Sequence, residues 1–116
     1  MHYKGSCHCG AVSFAVEGDL SGGAVACNCS ICSRKGAYLW CVPLASLTVT
    51  APEYGLGSYS FHNHVIAHKF CRTCGIHAFA EDCGPTDAPM AYINVRCIET
   101  IDLASVPLME FDGRSM

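Results

Sequence analysis

Short runs in which apolar and polar residues alternate dominate this chain, and the three-to-four spacing of an amphipathic helix is almost absent. Residues 11–16 alternate in part and carry β-branched and aromatic side chains, and Leu47–Thr50 alternates with period two. Residues 38–42 form a dense apolar run, which predicts a central strand. Residues 58–61, 65–70, 77–80 and 91–96 complete the predicted strands, with a tight hairpin turn at His62-Asn63-His64. Turn signals separate these runs: Glu17-Gly18-Asp19, Ser21-Gly22-Gly23, Gly55 and Gly57, and Gly84-Pro85. Two single helical turns are expected, one over residues 30–35 closed by Gly36, the other over 102–105 opened by Asp102. Many short strands joined by Gly-rich turns predict a small all-β domain of several short antiparallel strands, packed as two or three sheets.

Length and composition sharpen this picture. A chain of 116 residues is one domain, near the size at which a metal staple adds appreciably to a modest core. With 51% hydrophobic and 15% charged residues, it has enough apolar mass to fold and too little charge for disorder. The formal charge is −3, and its seven Lys and Arg residues are scattered rather than striped, which argues against nucleic acid as a main partner. The longest largely apolar run, residues 37–45, is broken by Pro43 and far too short to span a bilayer, so no membrane role is expected. The first nineteen residues lack an apolar signal-peptide core, so the expected compartment is the cytoplasm, where clustered thiols stay reduced and read as metal or redox chemistry.

Ten cysteines supply the candidate chemistry, seven of them in three tight clusters: Cys7-His8-Cys9, Cys27-Asn28-Cys29-Ser30-Ile31-Cys32, and Cys71-Arg72-Thr73-Cys74. A Cys-x-Cys pair closes a disulfide on itself only with strain, whereas neighbouring thiolates reach a tetrahedral zinc ion without it. Seven donors make one four-cysteine site and one three-cysteine site. Cys27, Cys29 and Cys32 can wrap one face of an ion from a single loop. Cys7 with Cys9 and Cys71 with Cys74 each bring two ligands and complete each other. A four-thiolate zinc is closed and structural, whereas a three-ligand zinc keeps a position for water or substrate. The alternative for the second site is a fourth ligand from Cys41, Cys83, Cys97 or a histidine. Two Zn²⁺ on seven thiolates would take the net charge to about −6.

In order and spacing, these segments resemble the glutathione-dependent formaldehyde-activating enzyme family, the GFA or CENP-V/GFA domain. The resemblance rests on Gly5-Ser6-Cys7-His8-Cys9-Gly10-Ala11-Val12, on Cys27 to Cys32, and on His68-Lys69-Phe70-Cys71-Arg72-Thr73-Cys74-Gly75. It continues through Ile93-Asn94-Val95-Arg96-Cys97 to Phe111-Asp112-Gly113-Arg114, nearly the whole chain. It implies a zinc-stapled, Mss4-like β-tent over residues 1–116. It also implies a structural zinc on Cys7, Cys9, Cys71 and Cys74, and a catalytic zinc on Cys27, Cys29 and Cys32. The implied activity is that of a carbon–sulfur lyase joining formaldehyde reversibly to glutathione, or acting on a related small thiol–aldehyde adduct. The alternative is a non-catalytic zinc module that docks a protein partner. The oligomeric state is not legible.

The remaining polar and aromatic residues read more plainly. Trp40 and Tyr38 are core residues, and Cys41, Cys83 and Cys97 small buried hydrophobes. His8 points to solvent, His62 and His64 decorate the hairpin, and His68 is a satisfied strand histidine. His77 is the histidine placed to support a zinc ligand. Asn94 and Arg96 lie on a strand, with Arg96 serving a structural salt bridge or a substrate carboxylate. Arg34 and Lys35 are solvated charge past the three-cysteine loop, placed to attract an anionic thiol.

Overall fold

The computed structural model describes residues 1–61, 65–99 and 101–115, so the hairpin turn expected at 62–64, with His62 and His64, lies outside the described residues. Alternating burial builds the small sheet. β1 (His2–Ser6), β2 (Ser13–Glu17) and β5 (Leu47–Thr50) form three antiparallel strands in the order β1-β2-β5. Phe14 and Val16 of β2 turn inward while Ser13, Ala15 and Glu17 stay wetter.

The other seven described strands form one sheet. They are β3 (Ala24–Cys27), β4 (Leu39–Pro43), β6 (Leu56–Tyr59), β7 (Ile66–Cys71), β8 (His77–Asp82), β9 (Met90–Asn94) and β10 (Leu108–Phe111), in the order β10-β3-β4-β9-β8-β7-β6. The pairings are antiparallel except at one edge, where β10 runs parallel to β3. The expected all-β fold is therefore present as two sheets, with a parallel edge pair added.

Register decides which face each residue meets. Trp40 pairs with Ile93, and Ile93 with Phe79, giving a cross-strand row that is almost fully buried. This row shares one apolar cluster with Phe14 and Val16 of the small sheet, so the two sheets meet over it. Tyr3 meets the Trp40 ring edge-on at 5.4 Å between centroids, which closes one end of the cluster. One residue along, Cys41 pairs with Tyr92, Tyr92 with Ala80, and Ala80 with His68. Because side chains alternate across a strand, this second row points to the opposite face of the large sheet.

The helical turns fall where expected. α1 (Cys32–Lys35) is one turn, closed by the Gly36 N–H donating to the Cys32 carbonyl. Asp102 caps a 3₁₀ turn at Leu103–Ser105 by accepting from the Ala104 N–H. Other placements need correction. Arg96 sits in a 3₁₀ turn at Val95–Cys97 rather than on a strand, because the Asn94 side chain accepts the Arg96 N–H and bends the chain there. Cys97 is buried as expected, but Cys41 and Cys83 are exposed. For Cys41 the cause is the alternation just described, since its neighbours Trp40 and Val42 take the core face.

Candidate metal centres and an adjoining cavity

The fold brings Cys7, Cys9, Cys71 and Cys74 together, each sulfur within 4.8 Å of the others. Cys7 follows β1 and folds back through its N–H to the Val12 carbonyl at 2.9 Å, which sends Cys9 round a tight turn. Cys71 ends β7, and a turn returns the chain so that the Cys71 N–H meets the Ile76 carbonyl at 3.0 Å. Gly75 completes that turn at φ +81, a left-handed conformation that a side chain would strain. The Cys7–Cys9 and Cys9–Cys71 sulfur separations are both 3.6 Å. A disulfide needs about 2.05 Å, whereas a tetrahedron of sulfurs around zinc at about 2.3 Å has edges of about 3.8 Å. Backbone donors complete the fit: Val12 N–H to Cys7 Sγ at 3.3 Å, Thr73 N–H to Cys71 Sγ at 3.3 Å, and Cys74 N–H to the same sulfur at 3.5 Å. Hydrogen bonds of this kind stabilise thiolate over thiol. Donors from the Cys9 and Ile76 backbone pull the Cys74 thiol down to about 6. The residues fit a metal ion held by four thiolates.

Cys27, Cys29 and Cys32 form the second group, again with all sulfurs within 4.8 Å, and among the described residues this group has three members. The end of β3 supplies Cys27 and the start of α1 supplies Cys32. Cys29 lies between them, its N–H directed at Cys27 Sγ at 3.5 Å and its carbonyl accepting from Ser33 N–H at 2.9 Å. Cys41 and His68 share a cavity with these sulfurs, while Cys97 lines a separate one; none of the three joins the sulfur group. Burial pushes the Cys32 thiol up to about 12.

The C-terminal segment locks this loop. Asn28 N–H donates to the Phe111 carbonyl at 3.2 Å, the Asn28 side-chain amide donates to Asp112 Oδ1 at 2.9 Å, and Arg114 N–H donates to Asn28 Oδ1 at 3.0 Å. Gly113 lies directly against the sulfurs: a Cβ there would stand 2.7 Å from Cys27 Sγ and 3.1 Å from Cys29 Cβ. Only a residue without a side chain lets the backbone approach so closely.

Residues 2–111 match the glutathione-dependent formaldehyde-activating enzyme family. The chain belongs to that family. A crystal structure of a Rhodobacter sphaeroides protein superposes with a TM-score of 0.77 at 34% identity, covering 91% of this chain and 99% of that one. The family assignment and the sulfur geometry agree on two cysteine groups that could hold metal ions.

Beside the three-cysteine group stands a cation that sequence reading treated as solvated charge. The Lys35 side chain folds back from α1, and its Nζ lies 3.1 Å from His68 Nδ1 and 3.2 Å from His77 Nε2. An ammonium is donor-only, so both imidazole nitrogens accept. Burial lowers the Lys35 pKa, against the pull of the Cys32, Cys29 and Cys27 charges. Burial, reinforced by the Lys35 charge, depresses His68 to about 4 and His77 to about 3, so both rings are neutral near pH 7. His77, which from its place after Cys74 could have approached a zinc as a supporting donor, faces Lys35 with its Nε2. His8 is exposed, as expected. Arg96 places its guanidinium 4.5 Å from the Tyr38 ring centre, a cation–π contact, and among the described residues it forms no salt bridge. The i to i+3 spacing of Cys32 and Lys35 on one helical turn was the available signal for Lys35. Its imidazole partners come from β7 and β8 and were not legible without the sheet.

Proposed function

We propose that this chain is a zinc-dependent carbon–sulfur lyase acting on a small thiol–aldehyde adduct, with chemistry like that of an S-(hydroxymethyl)glutathione synthase. The inequality of the two sulfur groups carries this reading: four sulfurs converge in one and three in the other, and the three stand in a cavity wall. On this reading Cys7, Cys9, Cys71 and Cys74 hold a structural zinc and Cys27, Cys29 and Cys32 a catalytic one, two Zn²⁺ per chain. A zinc ion on three thiolates supplies a Lewis-acid position that favours the deprotonated form of an incoming thiol and exchanges soft sulfur ligands readily.

The chain's own residues supply position and electrostatics. The C-terminal clamp on Asn28 holds the sulfur loop in one geometry. Lys35 offsets the negative charge of the thiolates from within the fold. His68, neutral and with its Nδ1 occupied by Lys35, keeps its other ring nitrogen protonated as a donor for the aldehyde oxygen. In the cleavage direction the adduct hydroxyl loses its proton, the carbon–oxygen double bond forms, and the carbon–sulfur pair leaves on sulfur, which takes up a proton. Synthesis is the reverse, and no electron is gained or lost. The partner is a small thiol such as glutathione, and the working compartment is the cytoplasm.

A second reading, a docking module, is favoured by one observation: Leu108, Met109 and Phe111 are exposed on β10, the outer edge of the large sheet. One experiment separates the two. Fully metallated protein is screened by thermal shift against small thiols, with and without formaldehyde, and adduct cleavage is followed by formaldehyde release. The lyase reading expects two zinc ions per chain, stabilisation by at least one thiol, and turnover. Stabilisation by no thiol, with no turnover, leaves the docking module.

A further inference from the structure

The three-cysteine group opens on a cavity of about 410 Å³, a volume in the range of small-molecule sites. Its floor is the outward row of the large sheet, Cys41, Tyr92, Ala80 and His68. Its walls include Val25, Ile31, Leu39, Phe61, Ile66 and Phe111. Little polarity is left on this floor beyond the Cys41 thiol and the His68 ring N–H already placed as the donor for the aldehyde oxygen. Tyr92 donates its hydroxyl to Asp82 Oδ1 at 3.0 Å, and His68 Nδ1 faces Lys35. Among the described residues no Lys or Arg lines the cavity. The cations gather instead in a second cavity, where Lys35 and Arg96 stand with Asn94 and Glu99, and which contains none of Cys27, Cys29 or Cys32.

This distribution bears on the thiol. Glutathione carries two carboxylates and an ammonium, and burying such charges without partners is costly. An apolar arm gains by the same burial. We infer that the three-cysteine site selects a thiol with an uncharged, apolar organic arm, an alkyl or aryl thiol and its hydroxymethyl adduct, over glutathione. The inference rests on the lyase reading for its chemistry and on the cavity wall for its selectivity. The thiol S–H adds across the carbonyl: the carbon–sulfur bond forms, the π pair moves to oxygen, and the thiol proton ends there.

The test uses zinc-loaded protein and three thiols: phenylmethanethiol, 1-butanethiol and glutathione. Binding is read by calorimetry, and cleavage of each hydroxymethyl adduct by formaldehyde release. The expected result is that the two apolar thiols bind at least about tenfold more tightly than glutathione, and that their adducts are cleaved with the higher kcat/KM. Phe111→Lys places a cation at the rim, on a side chain already 46% exposed and so tolerant of change. It is expected to reduce that preference by about tenfold. Glutathione binding as tightly as the apolar thiols overturns the selectivity and leaves the lyase reading intact. Tight apolar binding without cleavage of any adduct overturns the lyase reading and upholds the selectivity. Binding of none of the three overturns both.

Discussion

The two sulfur groups use the same donor in opposite ways. The four-sulfur group joins Cys9 to Cys71 across 62 residues and ties the turn after β1 to the end of β7. The three-sulfur group draws all its donors from one short loop between β3 and α1. A metal ion that closes a long loop removes freedom from the whole unfolded chain, so its binding energy becomes folding energy. An ion held by one short loop constrains little beyond that loop, and its site is free to serve chemistry. Backbone N–H groups reach the sulfurs of both groups, from Val12, Thr73, Cys74, Cys9 and Ile76 in the first and from Cys29, Ile31 and Cys32 in the second. On the proposed reading the first group is a staple and the second a working site.

The largest effect that sharpens this contrast is expected from Cys71→Ser. Loss of a structural ion costs on the order of 10 kcal/mol, comparable with the stability of a whole domain. Far-UV circular dichroism and soluble yield should show an unfolded or insoluble chain, and a well-folded Cys71→Ser protein would break the comparison. Cys29→Ser is expected to leave the fold intact, with a melting shift below about 5 °C, while zinc content falls from two towards one. Adduct cleavage should drop at least about 100-fold, the several kcal/mol of a lost Lewis acid. Unchanged turnover would remove the three-sulfur group from the chemistry.

Gly113→Ala probes the clamp. Its Cβ would meet Cys27 Sγ at 2.7 Å, so the loop or the C-terminal segment must shift. Overpacking of this kind costs about 1–3 kcal/mol, spent locally. Chelators should then strip the second zinc faster than in the parent protein while the first stays bound. Equal stripping rates would show that the clamp does not hold the loop.

The smallest expected effect is a pH slope. His68 and His77 have folded pKa values of about 4 and about 3, below the ordinary 6.5. The unfolded chain therefore binds protons first. The stability these rings contribute is complete above pH 6.5 and declines as pH falls towards 4. Denaturation midpoints measured from pH 7.5 down to 5.5 on metallated protein should fall less steeply for His77→Leu than for the parent. Parallel slopes would mean that the ring is not held neutral.

Much of the molecule was legible beforehand, and particular residues show why. Leu47–Thr50 alternates and pairs as an ordinary strand on β2. The cysteine clusters announced their own grouping, because short-range spacing restricts which sulfurs can meet. His2–Ser6, Ala24–Cys27 and Leu108–Phe111 were missed as strands. Each is polar, small or fully exposed in pattern, and each is held by a partner strand rather than by its own periodicity. The exposed position of Cys41 was also hidden. Residues 38–42 are apolar on both faces, so no alternation reveals that one face is core and the other a cavity wall.

By itself the sequence determined the all-β class, the seven sulfur donors and their division into four and three, because local spacing and two-residue periodicity are properties of neighbouring residues. Only the tertiary structure decided that Lys35 sits between two neutral imidazoles, that Gly113 presses on Cys27, and that an apolar cavity lies beside the three-sulfur group. These features depend on strand register and on contacts between residues far apart in the chain. No local pattern encodes which side chains a sheet will place opposite one another.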